Sequence, residues 1–178
     1  MKKLFYFIII LIFSACSVTT EEDSTATSST TLPDYETTTL SGKISGTAWT
    51  FKTGRVTVPS STGLSLCSVS KINDNLSDAC SSTYTATSSN PKVFFGRDNL
   101  TVGETELGWG TGYGTVTFYD GSTNYIVTTG KITIDTHTTT ALTGKMYAKS
   151  SSNNEINGTF TLSRCCFDSE GSTYDLCE

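Results

Sequence analysis

Residues 115–162, TVTFYDGSTNYIVTTGKITIDTHTTTALTGKMYAKSSSNNEINGTFTL, decide the fold. Val116 and Phe118 alternate with Thr115, Thr117 and Tyr119. Ile126, Ile132 and Ile134 share one parity, as do Leu142, Met146 and Ala148, and then Ile156, Phe160 and Leu162. Successive side chains of a strand point to opposite faces, so a period of two marks strands. The opposite parity is mostly Thr, Lys and Asn, which predicts antiparallel strands with one face in the core and the other in water. Clusters of Gly, Ser, Asn and Asp between the runs supply the turns.

Upstream, the parity changes twice. Leu40 and Ile44 are even, Trp49 and Phe51 odd, Val56 and Val58 even again, and the changes fall beside Gly46 and Gly54, where a turn or bulge would re-register the chain. No stretch carries a useful helical period; the best, residues 70–80, is interrupted by Asn-Asp and Ser-Asp. Residues 40–178 therefore read as one all-β domain, an antiparallel sandwich or partly closed barrel of about eight strands. A chain of that size buries roughly two-thirds of its unfolded surface, enough for one core. The polar stretch 73–90 and the glycine-rich 108–114 are its main loops.

The other end of the chain is different. Residues 1–16, MKKLFYFIIILIFSAC, place two lysines before an apolar run from Leu4 to Phe13, then two small residues and a cysteine. The run is too short for a bilayer core, which needs about 20 residues, but suits a signal peptide. Phe13-Ser14-Ala15-Cys16 resembles a bacterial lipobox, with Phe13 where leucine is usual. That resemblance implies cleavage after residue 15 and lipidation of Cys16. The alternatives are an ordinary signal peptide cut elsewhere, or an uncleaved anchor. Residues 17–39 hold thirteen Ser or Thr and five acidic residues, with only Val18, Ala26, Leu32 and Tyr35 apolar. Such a segment has too little surface to bury and is expected to be a flexible tether. The expected organisation is a signal peptide over 1–15, a lipidated tether over 16–39 and the β domain over 40–178.

Loss of Lys2 and Lys3 with the signal leaves ten basic residues against seventeen acidic ones, a net charge of −7. With no basic cluster, no nucleic-acid partner is expected. Membrane association must come from the lipid; several acyl chains, each contributing about 0.8 kcal/mol per buried CH₂, hold firmly where one is marginal. Export also exposes the five further cysteines, Cys67, Cys80, Cys165, Cys166 and Cys177, to oxidising conditions. Five is odd, so at most two bonds form within the chain and one thiol remains. On a strand, Cys165 and Cys166 point to opposite faces and cannot easily share a partner. No metal or cofactor is expected, because no C-x-x-C occurs and the only histidine, His137, is remote from every cysteine.

The motif Gly42-Lys-Ile-Ser-Gly46-Thr-Ala-Trp49-Thr-Phe51-Lys-Thr-Gly54, with Gly130-Lys-Ile-Thr-Ile134, Leu142-Thr-Gly144 and Ile156-Asn-Gly158-Thr-Phe160-Thr-Leu162-Ser-Arg-Cys165, resembles a family of small exported bacterial lipoproteins of unknown function. The resemblance spans most of residues 40–165 and implies a single all-β domain. It also implies a bond from a loop cysteine, matched by Cys80, to the cysteine ending the last strand, matched by Cys165. Cys67, Cys166, Cys177 and the tail after Cys166 are additions to the pattern, and the second bond draws on those three cysteines.

Candidate chemistry is sparse. The glycines of 108–114 fall at every second position between strands, the wrong spacing for a phosphate cradle. His137 has Asp135 as its nearest carboxylate in sequence and no marked nucleophile, and reads as a strand-end or turn residue. Glu104 and Glu106 share a strand face; Glu104, Glu106 or Asp120 are the carboxylates an envelope glycan hydrolase would use. Asp98 and Asp120 are the acids that could bind calcium weakly. Trp109 and Tyr113, set between glycines, are the candidate binding residues, able to stack on a sugar or anchor a protein. The competing expectation is that Trp109 folds back to cap the sandwich. The functional expectation is an exported lipoprotein of the cell envelope, at the outer membrane since Ser17 rather than Asp follows the lipid cysteine. It would display a non-enzymatic domain with a structural role or a role in binding an envelope protein or glycan. A glycan hydrolase and a carrier of a small apolar ligand are the alternatives, and no catalytic residue is assigned.

Overall fold

The structure, a computed structural model, describes residues 31–59, 68–73, 79–80, 91–96, 102–167 and 174–176. Cys16 and the rest of the expected signal and anchor, along with Cys67, Cys177, Asp98 and most of loop 73–90, lie outside them. The compact unit runs from Leu32 to Glu178.

Twelve strands occur among the described residues: β1 (Ser41–Ile44), β2 (Thr47–Thr50), β3 (Thr53–Pro59), β4 (Ser68–Asn73), β5 (Lys92–Gly96), β6 (Gly103–Leu107), β7 (Thr115–Tyr119), β8 (Asn124–Ile126), β9 (Thr129–His137), β10 (Ala141–Ser151), β11 (Asn154–Phe167) and β12 (Tyr174–Leu176). They form two sheets. The larger has the order β2-β1-β11-β10-β9-β6, with β3 and β12 also on β11 and β4 on β3; the smaller is β5-β7-β8. The sheets are not closed on each other, so of the two expected architectures the sandwich is the one adopted.

The interior is built from the parity read in the sequence. Val93, Phe95, Val116 and Phe118 of the small sheet meet Ile132, Ile134, Leu142, Met146, Ile156, Phe160 and Leu162 of the large one, all buried. The Phe95 and Phe160 rings, one from each sheet, lie 5.7 Å apart at 56°, an edge-tilted contact that joins the layers.

Two expectations need correction. Ile126 does not share a face with Ile132 and Ile134: it is 37% exposed, whereas its neighbour Val127 is fully buried. The run 125–136 is two strands in different sheets. The chain changes sheet at Val127 and Thr128, whose N–H groups donate to Val116 in the small sheet and to Lys149 in the large one. Nor are all the ladders antiparallel, because β3 runs parallel to β11 from Ser163↔Arg55 to Phe167↔Pro59. The cause is the β1–β2 hairpin. β1 is antiparallel to β11, and Ser45 (φ 51°) and Gly46 (φ 77°) make a two-residue turn of the primed kind that matches strand twist. The chain leaving β2 therefore travels parallel to β11 and takes up its edge beyond β1.

The Cys80–Cys165 disulfide is present, with a Cα–Cα distance of 5.3 Å and a sequence separation of 85. Cys165 is fully buried, while Cys166 lies on the opposite face of β11, as alternation requires. Cys166 is also disulfide-bonded, so it belongs to the second bond, and its partner lies outside the described residues.

Candidate functional site

Three surfaces carry the residues singled out above. The first is the glycine-rich loop between β6 of the large sheet and β7 of the small one. Its neck is closed by backbone pairing: Leu107 bridges Gly114, and the Gly114 N–H donates to the Glu106 carbonyl at 2.8 Å. Gly110 and Gly112 turn the loop at φ 115° and 93°. Tyr113 lays its ring against Gly108, where an added Cβ would meet Cδ1 at 3.1 Å, and remains 45% exposed. Trp109 is 72% exposed. The expectation that it caps the sandwich is therefore overturned. Leu107 and Val116 on either side of the loop already close the core there, which leaves the indole nothing to cover.

The second surface is the outer face of the small sheet, which sequence reasoning missed. Phe94, Thr117, Tyr119, Asn124 and Ile126 line an open groove of about 480 Å³ there. Cross-strand pairing produces it: Phe94↔Thr117↔Ile126 form one row and Lys92↔Tyr119↔Asn124 the next. The Phe94 and Tyr119 rings stand 6.2 Å apart at 53° and give the groove two aromatic walls. Tyr119 is held in place, since its hydroxyl donates to the Gly121 carbonyl at 2.7 Å and the Lys92 ammonium lies 5.2 Å from its ring centroid. The sequence did carry a signal: in KVFFG and TVTFY an aromatic sits at the parity opposite the core residues, a position otherwise filled by Thr or Lys.

At the end of this sheet, Asp120 ties the β7–β8 turn. Its Oδ1 accepts from the N–H groups of Ser122 and Thr123, each at 2.8 Å, and its Oδ2 accepts from the Tyr125 hydroxyl at 2.9 Å. These donors, the two backbone N–H groups foremost, hold the carboxyl well below the usual carboxylate range. A carboxylate so occupied is a turn-former. That assigns Asp120 to structure, away from the catalytic and calcium roles weighed from the sequence.

The third surface is the outer face of the large sheet. Glu104 and Glu106 share it, as expected, and Glu106 stands opposite Lys131. Asp120 is on the other sheet, so of the three candidate carboxylates of the hydrolase alternative only Glu104 and Glu106 share a face. A strap ahead of β1 crosses this face. Tyr35 donates to Glu104 at 3.0 Å and lies 3.0 Å from the Thr133 hydroxyl, under the ammonium groups of Lys131 and Lys145 at 4.6 and 5.5 Å from its ring centroid. Asn157 donates to the Asp34 carbonyl and accepts from the Glu36 N–H. Thr159 donates to the Thr38 carbonyl at 2.8 Å. Burial raises the Tyr35 phenol above its ordinary range, and Glu104 adds to the shift, so the hydroxyl remains a donor at neutral pH. The folded unit thus begins at Leu32, and residues 32–39, expected in the tether, belong to it.

His137 lies at a strand end, as one of the two expected placements has it: it closes β9, half-buried and opposite Leu142. Among the described residues no group of three His, Cys, Asp or Glu side chains is placed to hold a metal ion. No protein-family model, curated protein or solved structure shows significant similarity to the chain.

Proposed function

We propose that the chain is an exported lipoprotein, anchored to the bacterial cell envelope at the outer membrane through Cys16, whose sandwich domain is a non-enzymatic binding module for an envelope protein or glycan. The observation that carries the binding role is Trp109. A tryptophan left 72% exposed on a loop with a paired neck forgoes roughly 2–3 kcal/mol of burial free energy. A large rigid aromatic in that setting presents contact area at low entropic cost, which is what recognition of a partner uses.

The alternatives find less support. Of the carboxylates in the hydrolase reading, Asp120 is engaged in its turn, while Glu104 and Glu106 lie on an outer sheet face, Glu104 accepting from Tyr35 and Glu106 standing opposite Lys131. The carrier reading needs room between the sheets, and that space is taken by Phe95, Phe118 and Phe160.

Retention on native envelope fragments tests the binding role. Unlipidated chain starting at Ser17 should be retained, and Trp109→Ala should reduce retention about tenfold, the equivalent of about 1.4 kcal/mol, without lowering thermal stability. Equal retention of the two proteins would remove the loop from the account.

A further inference from the structure

We infer that the outer face of the small sheet is a subsite for a neutral polysaccharide, two or three sugar rings lying over the adjoining Phe94 and Tyr119 rings. The inference rests on the reading of the chain as a binding module and names the surface and the ligand class.

Size decides first. Two strands of five residues and one of three, about 4.8 Å apart and at about 3.4 Å per residue, give a face on the order of 200 Å². A stable protein partner or a second copy of the chain needs about 800 Å² on each side. The face is too small for either, while a groove of about 480 Å³ is within the range of small-ligand sites.

Openness decides next. An apolar ligand is held by sites that bury 70–90% or more of its surface. A trough on an outer sheet face leaves one side of its occupant in water. The occupant must therefore have one apolar and one hydrated face, and a pyranose ring, with C–H groups on its flat faces and hydroxyls around its rim, has that form. The lining matches it: two aromatic rings and Ile126 for the C–H faces, the Thr117 hydroxyl and the Asn124 carboxamide for the rim.

Charge excludes the acidic polymers. None of the five lining residues is ionisable near neutral pH, and the whole chain carries −5. The nearest cation among the described residues, Lys92, is 3% exposed and turned onto the Tyr119 ring, so an anionic glycan or a polyphosphate would meet net repulsion with little exposed positive charge to offset it. Tyr119, fixed by Gly121 and Lys92, is pre-organised, so little ordering is needed on binding.

The test is affinity electrophoresis of the full mature chain in detergent, through gels containing soluble β-glucan, galactomannan, arabinoxylan or, as the charged control, dextran sulfate. At least one neutral polymer should retard the protein and dextran sulfate should not. Phe94→Ala and Tyr119→Ala should each weaken retardation about tenfold. Asn124→Ala, at an exposed position, should weaken it about threefold and guards against a folding defect in the aromatic variants. Absence of retardation by every neutral polymer overturns the inference. So does retardation that persists in all three variants. Retardation lost only in Trp109→Ala also overturns it, while leaving the binding-module reading intact; that reading fails separately if the unlipidated chain is not retained on envelope fragments at all.

Discussion

Replacing Cys80 with alanine should lower the midpoint of thermal unfolding by roughly 10–15 °C. The Cys80–Cys165 bond closes a loop of 85 residues. On the chain-entropy model, that closure destabilises the unfolded state by about 4–5 kcal/mol, an upper figure where the unfolded chain retains structure. Each kcal/mol moves the midpoint by about 2–4 °C in a chain of this size. The location raises the consequence. Cys165 is buried in the half of β11 that carries both β3 and β12, and the carbonyl beside Cys80, that of Ala79, accepts from Arg55 of β3 at 3.2 Å. Loss of the bond should therefore release protection first along β3 and the end of β11. Calorimetry without reductant measures the midpoint, and amide exchange measures the order of release. A change of less than about 2 °C would mean that the bond constrains nothing the other contacts do not already hold.

Phe118→Ala should cost about 3–5 kcal/mol, the range for removing a buried aromatic side chain. Phe118 is 0% exposed and lies on the central strand of the small sheet, between β5 and β8. It therefore joins three strands to the layer beneath. Its sequence neighbour Tyr119 faces outward, and Tyr119→Ala should cost no more than about 1 kcal/mol, the hydrogen bond to Gly121 being its main loss. Urea unfolding of the two variants tests the orientation of the small sheet. Similar costs for both would contradict it.

How much of this was legible in the sequence depends on whether a local pattern or a distant partner decides each element. Alternation in β7, β9, β10 and β11 placed Val116, Phe118, Ile132, Ile134, Leu142, Met146, Ile156, Phe160 and Leu162 correctly, because a period of two reports the core face directly. The sheet change at Val127 was hidden, since Ile126 and Ile132 keep the same parity across a break that only hydrogen-bond partners reveal. The parallel β3–β11 ladder was hidden for a similar reason: its partners are more than one hundred residues apart in sequence.

The candidate sites divide in the same way. Trp109 and Tyr113 stood out because glycines isolate them. Parity alone puts Tyr119 on the outward face, but the groove was missed because only strand register brings Phe94, Tyr119 and Ile126 side by side. Tyr35 was lost in a Ser/Thr-rich segment whose composition predicts no order. Its place depends on Lys131, Thr133, Lys145 and Glu104, brought together by three strands far downstream. Asp120 carried the acid of a catalytic candidate, but the Ser-Thr that follows in the turn was the stronger signal.

The proposed anchoring of the domain by lipid on Cys16 is checked by the intact mass of the mature protein extracted from membranes after export in a bacterial host. The account predicts a chain beginning at Cys16 with the added mass of its acyl groups, and loss of that mass with accumulation of precursor in Cys16→Ala. A mature chain that starts at another residue, or one that starts at an unmodified Cys16, would contradict it.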